Sequence, residues 1–175
     1  MKRLFLIRHA LPEIPNYDGL FPGPGLGTEG KIQSELISEF LTTKNIEVVF
    51  HSDYTRVIET MKPVLKKLSN SPIPQPTPSL REREASVESH ESLVERTHSW
   101  LVNSLPEIMK NTTAIFSHCG PINMILEYFD PQKSILKYPF ECPHLCHTPI
   151  AGIWELEFSN DLLISGILHF CKTNE

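Results

Sequence analysis

Leu4-Phe5-Leu6-Ile7-Arg8-His9 runs four apolar residues into a cation and an imidazole. The run is short, so it reads as a buried strand rather than a helix. Open α/β sheets place their ligands at the carboxyl ends of such strands. The same arrangement returns twice. Thr113-Ala114-Ile115-Phe116 leads into Ser117-His118-Cys119-Gly120-Pro121, and Val48-Val49-Phe50 leads into His51-Ser52-Asp53, with Arg56 one turn on. Three strand ends that deliver His9, His118, Arg8 and Arg56 describe an anion site containing a nucleophile.

The pattern around these ends alternates strand and helix. Residues 3–8, 46–51 and 112–116 read as strands. A helix begins near Thr28, a plausible N-cap, with Ile32, Leu36, Ile37, Phe40 and Leu41 on one stripe. A second starts near Asp53 and is expected to break or kink at Pro63. Prolines alternate from Pro72 to Pro78, which permits only an extended loop or an edge strand. A third helix carries Leu93, Val94, Thr97, Trp100, Leu101 and Leu105, with Ser92 and Glu95 at capping-box spacing. Pro121 suits the first turn of a fourth, through Ile122, Ile125, Leu126 and Phe129. Ile153 to Phe158 alternates strictly, Leu162 to Leu168 follows, and Asn160-Asp161 between them reads as a hairpin turn. Helices alternating with strands and then a hairpin imply an α/β fold with a mostly parallel sheet and an antiparallel portion.

The chain has 175 residues and a formal charge of −5. That length suits one domain spanning 1–175. No basic block is present, so a broad nucleic-acid surface is not expected and any anion site must rest on a few placed cations. No apolar stretch nears the roughly 20 residues that span a bilayer. The first residues lack the pattern of a secretory leader, so a cytoplasmic location and reduced thiols at Cys119, Cys142, Cys146 and Cys171 are expected.

Neutral imidazole is a competent nucleophile toward phosphorus, and an unperturbed pKa near 6.5 leaves it largely unprotonated at neutral pH. Transfer of a phosphoryl group is mostly positioning and charge neutralisation. Arginine suits this because its planar fork matches phosphate oxygens and stays charged. A second histidine, protonated in an anionic environment, would add a donor. A carboxylic acid nearby would supply the proton the leaving alkoxide needs. None of these steps calls for a metal.

In these segments the chain resembles the histidine phosphatase superfamily, also called phosphoglycerate mutase-like, over nearly its whole length and in the same order. Leu6-Ile7-Arg8-His9-Ala10 is similar to the family's strand ending in Arg-His-Gly. Leu26, Gly30 and Gln33 are similar to its next helix start. Ser52, Arg56 and Thr60 match Ser-x-x-Arg-x-x-x-Thr. Leu80-Arg81-Glu82 resembles the proton-donor segment, and Ser117-His118-Cys119-Gly120 resembles Ser-His-Gly-Gly. The resemblance implies a three-layer α/β/α sandwich, no cofactor and no metal. It implies His9 as the nucleophile that becomes phosphohistidine. Arg8, Arg56 and His118 would bind the phosphoryl group, and Glu82 would act as acid and then base.

The departures are specific. Ala10 and Cys119 replace glycines, and Gly27 stands where Ser or Thr is usual. Leu11-Pro12-Glu13-Ile14-Pro15-Asn16 is out of step by one with the family pattern, leaving Asn16 as a possible phosphate contact. Glu84 competes with Glu82 as donor, and both sit in an alternating charge run that otherwise reads as a solvated face. Arg56 has a bland alternative, a surface ion pair with Glu59 or Asp53, and His118 another, as a hydrogen-bonded core residue. Cys119 reads as an inert small hydrophobe in preference to a redox-sensitive thiol. Cys142, His144, Cys146 and His147 are dense in soft ligands, but their spacing is wrong for standard zinc modules.

The expectation is therefore a metal-independent phosphomonoesterase acting on a small phosphorylated metabolite. A phosphohistidine protein is the alternative substrate. The rivals are a non-catalytic phosphate-binding protein on the same fold and a metal-binding module at residues 142–147.

Overall fold

The computed structural model describes residues 1–13, 21–138 and 148–170. The strands are β1 (Lys2–Arg8), β2 (Val48–His51), β3 (Pro74–Pro76), β4 (Thr113–Ser117), β5 (Gly152–Ser159) and β6 (Leu162–Phe170). The helices are α1 (Thr28–Thr42), α2 (Thr55–Lys67), α3 (His90–Ile108) and α4 (Cys119–Phe129). The strands form one sheet in the order β3-β2-β4-β1-β5-β6. β3, β2, β4 and β1 pair in parallel, and the β1–β5 and β5–β6 pairings are antiparallel. The mostly parallel sheet with an antiparallel portion is thus the observed architecture.

Side chains alternate across β1 because strand residues point to opposite faces. Leu4 and Leu6 join Ile115, Leu101, Ile122, Ile125 and Trp154 on the α3–α4 side. Phe5 and Ile7 join Ile37, Leu41, Val57, Met61 and Val64 on the α1–α2 side. The two cores enclose the sheet as the middle of three layers, as expected. β1 is buried on both faces, which explains an uninterrupted apolar run in place of alternation.

Several local expectations differ in detail. α2 runs through Pro63 without breaking. Val57, Met61 and Val64 hold it against the sheet on both sides of the proline, and that burial outweighs the missing N–H. α3 is capped by Ser89, whose side chain accepts from the Ser92 backbone N–H, one turn earlier than the Ser92–Glu95 spacing predicts. At α1 the N-cap is Gly27, with Thr28 the first helical residue. The Asn160-Asp161 turn is present, with both residues at positive φ (49° and 62°), as a two-residue hairpin of type I′ requires. The proline-rich stretch supplies β3, an edge strand beside β2.

The parallel register aligns the strand ends that matter. Arg8 lies opposite Ser117, and His51 opposite Phe116. The residues that follow, His9, Ser52 and His118, therefore leave the sheet at one level. Backbone bonds carry the alignment past the strands: His9 N–H donates to the Ser117 carbonyl at 3.1 Å and Ser52 N–H to the Phe116 carbonyl at 2.9 Å.

Candidate active site

His9 is 4% exposed, and Ser52, Arg56 and His118 are fully buried. The imidazoles of His9 and His118 meet edge to face with centroids 5.2 Å apart. Four polar groups from three strand ends and one helix thus share one interior site. Arg56 is not the surface residue of the bland reading. Asp53 is taken by Arg81, whose Nε donates to it at 2.7 Å, and Glu59 accepts from the Leu26 N–H at 2.6 Å.

Hydrogen bonds decide the tautomers. His9 Nδ1 lies 2.9 Å from the Ala10 carbonyl, which can only accept. Nδ1 therefore carries the proton, and Nε2 keeps the lone pair. The His9 pKa is lowered to about 3, by burial first and then by the positive charge of Arg56. The imidazole is neutral at physiological pH, with its free lone pair on Nε2.

His118 is held at both nitrogens. Arg56 Nη2 lies 3.1 Å from Nδ1, and Ser52 Oγ lies 2.9 Å from Nε2. A guanidinium has no acceptor, so Nδ1 must accept, and Nε2–H donates to the serine. His118 is therefore neutral here, whereas the donor role expected of it from the sequence belongs to an anionic environment. Its pKa lies well below the usual histidine value, through burial first and then the charges of His9 and Arg56. Tyr54 was missed as a neighbour: its ring packs 5.0 Å from His118 and 4.5 Å from the Arg56 guanidinium carbon. Its position two residues before Arg56 carries no signal of its own.

Arg8 Nη1 donates to the Thr148 carbonyl at 2.7 Å, a backbone contact with no sequence signature. Thr60 Oγ1 accepts from Ala10 N–H at 3.0 Å and donates to the Arg56 carbonyl at 2.7 Å. Gln33 Oε1 accepts from Leu11 N–H at 2.9 Å, and a Cβ on Gly30 would collide with the Leu11 carbonyl oxygen. The motif residues Gly30, Gln33 and Thr60 thus hold the loop that follows His9.

Glu82 lies across a cavity of about 360 Å³ that it lines together with Arg8, Cys119 and Gly120. Its carboxylate accepts from Gly120 N–H at 3.3 Å, at the start of α4. The path of its chain is pinned on both sides. Ser117 Oγ donates to the Leu80 carbonyl at 2.7 Å, and Arg96 Nη2 to the Arg81 carbonyl at 2.8 Å. Glu84 does not line that cavity; it lines a second one with Phe21, Tyr54 and Arg81, which Glu82 also borders. Cys119 is disulfide-bonded, against the expectation of a reduced, inert thiol. Its place at the amino terminus of α4 is a setting that favours the exchanging thiolate. Asn16 and the Cys142, His144, Cys146, His147 cluster lie outside the described residues. Among the described residues no group of three His, Cys, Asp or Glu could hold a metal, and no helix is long and apolar enough to cross a membrane.

The depressed histidine pKa values carry a stability consequence. Below its ordinary pKa of 6.5 an unfolded His9 binds a proton that the folded one refuses until about pH 3. The unfolded state then holds more protons, so stability rises with pH across that window, and His118 acts in the same direction. Thermal melts are expected to show Tm falling steadily from pH 6.5 toward pH 4, with a shallower slope in His9→Gln. A flat profile in the wild-type protein would mean that neither ring is kept neutral.

Residues 4–87 match the model of the histidine phosphatase superfamily (branch 1). No curated protein matches the sequence. Among solved structures, the α-ribazole phosphatase of Shigella flexneri superposes with a TM-score of 0.75 at 16% identity, covering 99% of this chain and 98% of its own. The phosphoglycerate mutase of Bacillus anthracis str. Sterne gives 0.72 at 16% identity, covering 94% and 91%. A mycobacterial glucosyl-3-phosphoglycerate phosphatase gives 0.65 at 15% identity, covering 97% and 98%. At such identities these likenesses concern the fold, which is phosphoglycerate mutase-like.

Proposed function

We propose that the chain, whose residues 4–87 match the model of the histidine phosphatase superfamily, is a metal-independent phosphomonoesterase working through a phosphohistidine on His9. The observation that carries this reading is the buried meeting of His9 with His118 and Arg56, beside a cavity shared by Arg8 and Glu82.

His9 Nε2 attacks phosphorus as the P–O bond to the alcohol breaks. Arg8 and Arg56 neutralise the equatorial oxygens, whose charge is the main barrier to lower. An arriving phosphoryl group is a stronger acceptor for Arg56 than His118 Nδ1 is, and its negative charge opposes the effects that keep His118 neutral. His118 then becomes a donor in the loaded site, although it rests unprotonated. Glu82, entering as the carboxylic acid, gives its proton to the departing alkoxide. In the second half, Glu82 carboxylate takes a proton from water, the hydroxide oxygen bonds to phosphorus, and the N–P bond breaks to restore His9 and release inorganic phosphate.

A substrate panel tests the reading: phosphorylated metabolites, an aryl phosphate and a phosphohistidine protein. Glu82→Gln is expected to slow alkyl phosphates roughly 10²-fold or more and aryl phosphates much less, because phenolates leave without a proton. Equal losses for both would move the donor role elsewhere. The position of Glu82 favours an ester over a phosphohistidine substrate, since imidazole needs less help in leaving.

A further inference from the structure

The cavity that begins at Arg8 and Glu82 continues along one face of α4. Cys119, Gly120, Asn123, Met124 and Glu127 line it, at spacings that return to the same side of a helix; Arg83 and His90 also line it, both exposed, where solvent screens their charge. Cys119 and Glu127 are eight residues apart on that helix, which places their backbones about 12 Å apart along its axis. The trough therefore has two chemically different ends. The near end holds Arg8, which the proposed reaction assigns to phosphate. Leu93 and Met124, both nearly buried, form an apolar stretch midway. The far end holds the half-buried Glu127, which makes no hydrogen bond or ion pair among the described residues.

Lone carboxylates on a surface are ordinary, but this one closes a cavity whose other end is built for an anion. Burying a leaving group along the trough brings its distal part against Glu127 in a partly desolvated setting, where charge is felt more strongly than in water. An ammonium or hydroxyl there gains a partner, and a carboxylate or second phosphate meets repulsion. We propose that Glu127 is the specificity residue for the leaving group, and that the substrate is a compact phosphomonoester whose alcohol carries a distal hydrogen-bond donor, best a protonated amine, and no second anion. This rests on the phosphatase reading and narrows it. The volume of about 360 Å³ lies at the lower end of the range for small-molecule sites, which suits a sugar-sized alcohol.

The test uses three substrates of similar size: glucosamine 6-phosphate, glucose 6-phosphate and 6-phosphogluconate, with p-nitrophenyl phosphate as a reporter of the chemical step. The expected order of kcat/KM is amine, then neutral sugar, then carboxylate, each step roughly three- to ten-fold. Glu127→Gln should collapse the spread, and Glu127→Lys should reverse the amine and carboxylate, each kcat/KM being read relative to that of p-nitrophenyl phosphate in the same variant. Equal kcat/KM across the three sugars, or a spread that survives Glu127→Gln, would overturn the proposal. Calorimetric binding of the same three compounds to His9→Ala separates the two claims. Selective binding without turnover in the wild type would remove the phosphatase reading and leave the recognition role standing. Non-selective binding with intact p-nitrophenyl phosphate hydrolysis would do the reverse.

Discussion

His9→Ala is expected to abolish turnover, by on the order of 10⁴-fold or more, while the protein stays folded. Removal of a covalent nucleophile commonly costs at least that much, because the remaining groups can only bind and polarise. Alanine loses one hydrogen bond, from Nδ1 to the Ala10 carbonyl. It also removes a ring whose neutral state must be maintained against protonation at acid pH. The variant should therefore lose part of its acid sensitivity even as activity disappears, which distinguishes a chemical lesion from a structural one. Labelled substrate, quenched in alkali, should leave acid-labile phosphate on the wild-type protein and none on His9→Ala. Hydrolysis at an unchanged rate in the variant would end the proposed mechanism.

Arg56→Lys is expected to lower kcat/KM by about 10²–10³-fold, the usual scale for removing one preorganised donor from a site of developing charge. Lysine preserves the charge. It cannot preserve the planar fork, the stacking on Tyr54 at 4.5 Å or the in-plane contact with His118 Nδ1 at 3.1 Å. The substituted ammonium would also be buried where the guanidinium is completely enclosed, and ammonium is the more strongly hydrated ion. A loss of several degrees in Tm is expected with the kinetic loss. Steady-state kinetics on an aryl phosphate, which bypasses Glu82, isolates the phosphate-binding defect. A substitution silent in both assays would remove Arg56 from the site.

Much of this architecture can be read from residue order alone, for identifiable reasons. β1 is buried on both faces, so its side chains form an unbroken apolar run, and the polar pair after it marks where the sheet ends. His118 and Arg56 were legible in the same way, as polar groups that begin where such runs stop. The ionisation of His118 was not legible. It depends on Ser52 and Arg56, residues more than 60 positions away in sequence, and on which partner can only donate. The difference between Glu82 and Glu84 also escaped the pattern, since alternating charges look alike until Ser117 and Arg96 hold the Leu80 and Arg81 carbonyls just ahead of Glu82. At Pro63 the expected break is absent for the opposite reason. A local rule about proline was overridden by burial of the helix face beside it. Cys119 was misjudged because a disulfide depends on which cysteine the fold brings beside it, and residue order does not show that.

Thr60 couples two parts of the site through a single hydroxyl, receiving from the amide just after His9 and giving to the carbonyl of Arg56. One hydroxyl thereby braces both the turn that leaves His9 and the helix turn that holds Arg56, so the spacing of imidazole and guanidinium depends on a residue that belongs to neither.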